Sequence, residues 1–65
     1  MNLDQMIDAR DEYLEKITIA KRVQELSKDE KQRVLAKRDI RLFESFVEQL
    51  EIEIQAEMKR LEEEE

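Results

Sequence analysis

The chain has 65 residues and a net charge of −6, and it contains no cysteine and no histidine. A domain this small buries too little surface to build a large core. Without these two residue types it also lacks disulfides, thiolate and imidazole metal ligands, and Cys or His catalysis. We therefore expect a protein that is not an enzyme, with no catalytic residue, metal site or cofactor, stabilised by oligomerisation.

The composition predicts an all-α fold. Gly and Pro are both absent, while straight-chain residues that lose little rotamer freedom in a helix are abundant. Charged residues make up 46% of the chain and hydrophobic residues 40%, which is too apolar for a disordered segment. No apolar run approaches the roughly 18 residues that suggest a membrane span, and no signal peptide is recognisable. These features favour a cytoplasmic protein that does not bind membranes.

Two stretches of helical periodicity organise the chain into a single helical domain, residues 1–65. Apolar residues recur three or four apart between Leu3 and Leu26, which predicts a first amphipathic helix over about 3–26. From Ala36 to Leu61 the spacing alternates four and three, as in a heptad seam, and predicts a second helix over about 29–62. Leu35, Leu42 and Phe46 lie beside this seam and widen it, which favours a bundle over a two-stranded coiled coil.

The junction between the two helices predicts a turn at about 27–28. The second seam, extended backwards, meets charged residues in most positions, and Ser27 with Glu30 forms a capping-box pattern. We predict an antiparallel two-helix hairpin, although no glycine is present to end the first helix. The alternative is one long helix in a coiled coil. Residues 62–65 are all Glu and are expected to form an acidic frayed tail, because anions are unfavourable at the negative end of a helix.

The unequal helices predict where chains associate. The second helix is expected to extend about ten residues beyond the first at 1.5 Å per residue, which would leave Ile54, Met58 and Leu61 without a partner in the chain. The predicted oligomer interface is the seam and its extension, namely Ile40, Phe43, Phe46, Val47, Leu50, Ile54, Met58 and Leu61.

Charge predicts how two chains would be oriented. Residues 16–41 carry nine basic and four acidic side chains, whereas residues 1–15 and 42–65 together carry three basic and fourteen acidic ones. A hairpin places the basic part at its turn and the acidic parts at its open end. Head-to-tail pairing brings opposite charges together, so we predict an antiparallel homodimer that forms a four-helix bundle.

The function that these features favour is a small assembly or adaptor protein that binds itself and other proteins through apolar helix faces. One alternative is a nucleic-acid-binding regulator that uses the basic segment 28–41, with Lys31, Lys37, Arg38 and Arg41 as contacts. Another is an acidic decoy that occupies a nucleic-acid-binding protein. The acidic composition and the lack of aromatic residues among the basic ones argue against nucleic acid as the partner.

Overall fold

The computed structural model describes residues 2–64, which form two antiparallel helices. Helix α1 spans Leu3–Leu26 and helix α2 spans Glu30–Glu64, with three residues between them. The Cα trace measures 54 × 15 × 14 Å. The described residues contain no strand, and the all-α hairpin predicted from the sequence is confirmed. The alternative of one continuous helix is wrong, because the chain leaves helical geometry at Ser27 and returns along α1.

Helix α1 begins with a capping box that the sequence analysis overlooked. The backbone N–H of Gln5 donates to Oδ1 of Asn2 at 2.8 Å, and the backbone N–H of Asn2 donates to Oε1 of Gln5 at 3.1 Å. The two side chains thereby satisfy two amides near the helix start, the first of which would otherwise have no partner within the helix. The pattern Asn-x-x-Gln before an apolar run is the signal in the sequence that could have identified it.

The turn explains how α1 ends without glycine. Ser27 has φ −72° and ψ 136°, an extended conformation open to any residue, and its N–H still donates to the carbonyl of Val23 at 2.9 Å. The hydroxyl of Ser27 then accepts the N–H of Asp29 at 3.2 Å. Because the chain leaves the helix through an extended residue, a left-handed residue is not required.

The predicted capping box between Ser27 and Glu30 does not form. Asp29 caps α2 instead: its side chain accepts the N–H of Lys31 at 3.0 Å, and its carbonyl accepts the N–H of Arg33 at 3.1 Å. The connection occupies residues 27–29, and α2 begins at Glu30. The cap therefore lies two residues later than predicted, because the chain uses three residues to reverse its direction.

The core is a single layer between the two helices. Eight hydrophobic residues of the described part of the chain are buried, and none of them has less than 2% of its surface exposed. Seven of them form one cluster nearer the turn and one nearer the open end, and Tyr13 packs against both. Ala20 and Ala36 are two of the eight, and such small side chains allow close approach of two helices. The buried residues are Met6, Ile17, Ala20, Ala36, Ile40, Val47, Leu50 and Ile54.

The expectation that Ile54 lacks a partner within the chain is wrong. Ile54 is 3% exposed and packs with Met6 and Leu50. Since α1 begins at Leu3, its first turns reach this level of α2. Beyond this level, Met58 and Leu61 are 43% and 41% exposed, so only they extend the seam past α1.

The cap at Asp29 provides a test of the turn. Replacing an N-cap Asp with Ala typically costs about 1 kcal/mol, because a helix amide loses its acceptor. We expect Asp29→Ala to lower the free energy of unfolding by about that amount, whereas Asp29→Asn, which keeps an acceptor oxygen, should lower it much less. Chemical denaturation followed by circular dichroism measures both. If Ser27→Ala were costly and Asp29→Ala neutral, the cap would be assigned to the wrong residue.

Candidate protein-binding face

Many large hydrophobic side chains remain at the surface of the hairpin. Two helices that touch along one seam leave both flanks of that seam open, so each apolar stripe is covered on one side only. Among residues 2–64, eleven large hydrophobic residues are at least 38% exposed. They are Leu14, Ile19, Val23, Leu26, Val34, Leu35, Leu42, Phe46, Ile52, Met58 and Leu61.

Five apolar residues form what we call the apolar face: Tyr13, Val23, Leu35, Leu42 and Phe46. The rings of Tyr13 and Phe46 are in contact, which fixes the flank of the seam on which both lie. Leu42 precedes Phe46 by four residues and Leu35 precedes Leu42 by seven, so all three share one side of α2. Exposure is 40% at Leu35, 50% at Leu42 and 41% at Phe46.

Tyr13 is the centre of an aromatic cluster that joins the core to the apolar face. Its ring centroid lies 5.8 Å from that of Phe43 and 5.2 Å from that of Phe46, both in tilted arrangements typical of aromatic pairs. The Nζ of Lys16 lies 5.5 Å from the centroid of Tyr13 and 6.0 Å from that of Phe43, within reach of a cation–π interaction. Val23 follows Lys16 by seven residues, which is about two helical turns, so it lies on the same flank of α1.

A shallow groove of about 210 Å³ continues the apolar face toward the open end. The apolar walls of the groove are formed by Tyr13, Phe46 and Leu50, together with the small side chain of Ala9. Glu53 lies at the same groove, so the apolar face is bordered there by a carboxylate. The surface thus combines an apolar centre with a charged rim, as protein interfaces commonly do.

The opposite flank of the hairpin is charged, and we call it the acidic face. Arg10 of α1 lines a groove there with Glu48 and Glu51 of α2. Glu44 lies four residues before Glu48 on the same side of α2. Leu14 adds an exposed hydrophobic side chain four residues after Arg10. The two flanks therefore differ in character, and the aromatic pair of Tyr13 and Phe46 lies on the apolar face.

The residues predicted to form the oligomer interface fall into two sets. Four of them, Ile40, Val47, Leu50 and Ile54, are buried, and Phe43 is half-buried. Helix α1 covers these five, so they are not free for a second chain while the hairpin is closed. Phe46, Met58 and Leu61 are exposed and accessible to a partner. Of these, Phe46 belongs to the apolar face.

The basic residues proposed to contact nucleic acid are all exposed. Lys37, Arg38 and Arg41 line one depression on the outer side of α2, together with Val34. Lys31 does not line this depression. Within residues 2–64, none of the four forms a salt bridge, and no aromatic residue lines the depression with them. The surface is a cluster of cations without a stacking platform.

A charge network holds the last turns of α2. The guanidinium of Arg60 bonds to both carboxylate oxygens of Glu57 and, through Nη1, to Glu64 at 2.8 Å. The hydrogen bond from Arg60 lowers the pKa of Glu57 below its usual value of 4.5. Residues 62–64 of the tail predicted to fray belong to α2, and Glu65 lies outside the described residues. Arg60 offsets the acidic residues that would disfavour this helix end.

Arg60→Gln provides a test of this network. Loss of the guanidinium should raise the pKa of Glu57 toward 4.5. In the native protein the lowered pKa contributes stability above the unfolded-state pKa, and this contribution is lost as the pH falls through the folded-state value. Carbon-13 NMR titration of the Glu57 carboxyl measures the pKa directly. An unchanged pKa in Arg60→Gln would show that the contact is absent in solution, and Lys59→Gln is the matched control.

Three further results bear on the function. Among residues 2–64, no group of three or more carboxylates is placed to hold a metal ion. Neither described helix contains a segment long and apolar enough to cross a bilayer. No protein-family model matches the chain, and comparisons with curated proteins and with solved structures give no significant match.

Proposed function

We propose that this chain is a small, non-enzymatic assembly or adaptor protein that associates with itself and with other proteins through its apolar face. The observation that carries the proposal is the exposure of Val23, Leu35, Leu42 and Phe46 on one flank of the hairpin, beside the half-buried Tyr13. Contiguous exposed apolar surface of this kind typically marks a protein interface.

The thin core supports the same proposal. Every buried side chain of the hairpin retains some contact with solvent, and Tyr13 and Phe43 are only half-buried. A second layer of helices over the apolar face would cover the aromatic cluster and remove Leu42 and Phe46 from water. Burying apolar surface stabilises by about 25 cal/mol per Å². Association and folding would then stabilise each other.

Self-association is the first test. Sedimentation should show a species larger than the monomer, and the melting temperature should rise with protein concentration, because binding to the folded state stabilises it. Leu42→Glu and Phe46→Glu should each shift the protein toward monomer, since each places a charge in the apolar interface. Ile52→Glu is the matched control, because Ile52 is 58% exposed and lines the groove with Arg10 and Glu48 instead.

Two results would contradict the role proposed for the apolar face. A wild-type protein that stays monomeric, with a melting temperature independent of concentration, would contradict self-association through this face. Equal effects of Ile52→Glu and Leu42→Glu would show that the apolar face has no special role.

Nucleic-acid binding is the alternative that the depression at Lys37, Arg38 and Arg41 favours. The net charge of −6 opposes it. We expect no measurable binding to duplex or single-stranded oligonucleotides at physiological salt by fluorescence anisotropy. A salt-sensitive complex that is abolished in Arg38→Glu/Arg41→Glu and kept in Lys21→Glu/Arg22→Glu would establish the alternative.

The second alternative, an acidic decoy, rests on the carboxylates of the acidic face. For a decoy, we expect Glu44→Gln/Glu48→Gln to abolish binding of the partner protein and Leu42→Glu to leave it unchanged. For protein binding through the apolar face, we expect Leu42→Glu to abolish binding and Glu44→Gln/Glu48→Gln to leave it unchanged.

A further inference from the structure

We infer that the apolar face is the docking site for a second copy of this chain, bound antiparallel about a two-fold axis near Leu42. The inference rests on the proposed function and deepens it by fixing the occupant, its direction and its register. It follows from the length of the paired helices, from the charges along them and from the positions of Lys31 and Glu53.

The register follows from the length over which α1 and α2 lie side by side, which we call the paired body. Helix α1 runs alongside α2 from its first turn, where Gln24 and Glu30 line one depression, as far as Ile54, and the midpoint of residues 30–54 is Leu42. A two-fold axis at Leu42 therefore lays the paired body of one copy over the whole paired body of the other. Leu42 is also the most exposed residue of the apolar face on α2, so this axis places the largest uncovered apolar surface at the centre of the contact.

The direction follows from charge. Along α2, residues 30–41 contain five basic and two acidic side chains, while residues 42–54 contain four acidic and no basic ones. Antiparallel overlap about Leu42 places each basic half against the acidic half of the other copy. A parallel pair would set like charges together along the whole length, which is unfavourable.

Lys31 and Glu53 make the complementarity specific. Each lies eleven residues from Leu42, in opposite directions. Lys31 precedes Leu35 by four residues and Glu53 follows Phe46 by seven, so both lie on the stripe of α2 that carries the apolar face. The two-fold axis brings Lys31 of each copy opposite Glu53 of the other, at the two ends of the apolar patch.

The available area agrees with a second copy as the occupant. Residues 30–54 of α2 span about 36 Å at 1.5 Å per residue, and with a Cα width of 15 Å the paired flank offers about 550 Å² on each copy, an area at the small end of specific interfaces. The same flank on a second copy matches it in length and width, since a two-fold contact uses one surface twice.

Cysteine cross-linking tests the inference, because the chain contains no cysteine and any introduced thiol is unique. Lys31→Cys and Glu53→Cys are mixed in equal amounts and treated with a short bismaleimide. The control mixture is Lys37→Cys with Glu48→Cys, a Lys and a Glu that lie eleven residues apart and so on one side of α2, with Glu48 on the acidic face. All four positions are exposed, so the hairpin fold is kept.

We expect the mixture of Lys31→Cys and Glu53→Cys to give covalent dimer several-fold faster than the control mixture or Lys31→Cys alone. Faster cross-linking of Lys31→Cys to itself would show a parallel pair and overturn the inference. Faster cross-linking in the control mixture would place the contact on the other face and also overturn it. A parallel pair, obtained with a wild type that sediments as a dimer, would leave the proposed function intact, because the apolar face could still be the contact. A contact on the other face, or a monomeric wild type, would contradict the proposed function as well.

Charge exchange provides a second measurement on the same pair. Lys31→Glu and Glu53→Lys should each raise the Kd of the dimer several-fold, and the double variant Lys31→Glu/Glu53→Lys should restore it. The matched exchange at Lys37 and Glu48 should not show this restoration. If the effects of the two single reversals on the Kd added up in the double variant and dimer affinity were not restored, the contact between Lys31 and Glu53 would be contradicted.

Discussion

The single seam between two helices is the constraint on which the rest of the structure depends. Each helix can cover only one stripe of the other, so eight residues are buried and none of them completely. A second layer is how helical domains normally complete a core. Because the chain supplies only two helices, the hairpin leaves the apolar face uncovered, and the aromatic cluster at Tyr13 is shared between the core and the surface.

The turn shows how a chain without glycine or proline can reverse between two helices. Ser27 leaves α1 in an extended conformation, and Asp29 then caps α2. Together with the box at Asn2, these side chains accept helix amides that have no partner inside the helix. Polar side chains thus determine where the chain reverses direction. The position of the turn then determines how far α1 lies alongside α2, which is as far as Ile54.

The sequence predicted the elements better than it predicted their partners. Periodicity located both helices, because an apolar stripe has the same spacing whatever covers it. For that reason the stripe through Ile40, Val47 and Leu50 was assigned to contacts between chains, whereas the structure covers it with α1. The cap was placed at Ser27 and not at Asp29 because both residues are good N-caps, and only the path of the turn separates them. The apolar face itself was visible only as residues that widen the seam.

Coupling between folding and association is the central claim of this account, and amide hydrogen exchange tests it most directly. The slowest-exchanging amides of α2 report global opening. If a dimer must dissociate to unfold, a hundredfold increase in protein concentration should raise their protection by about tenfold, since the unfolded fraction then falls as the inverse square root of concentration. Protection that is the same at both concentrations would show that the hairpin is stable alone, and it would contradict the claim that its uncovered face needs a partner.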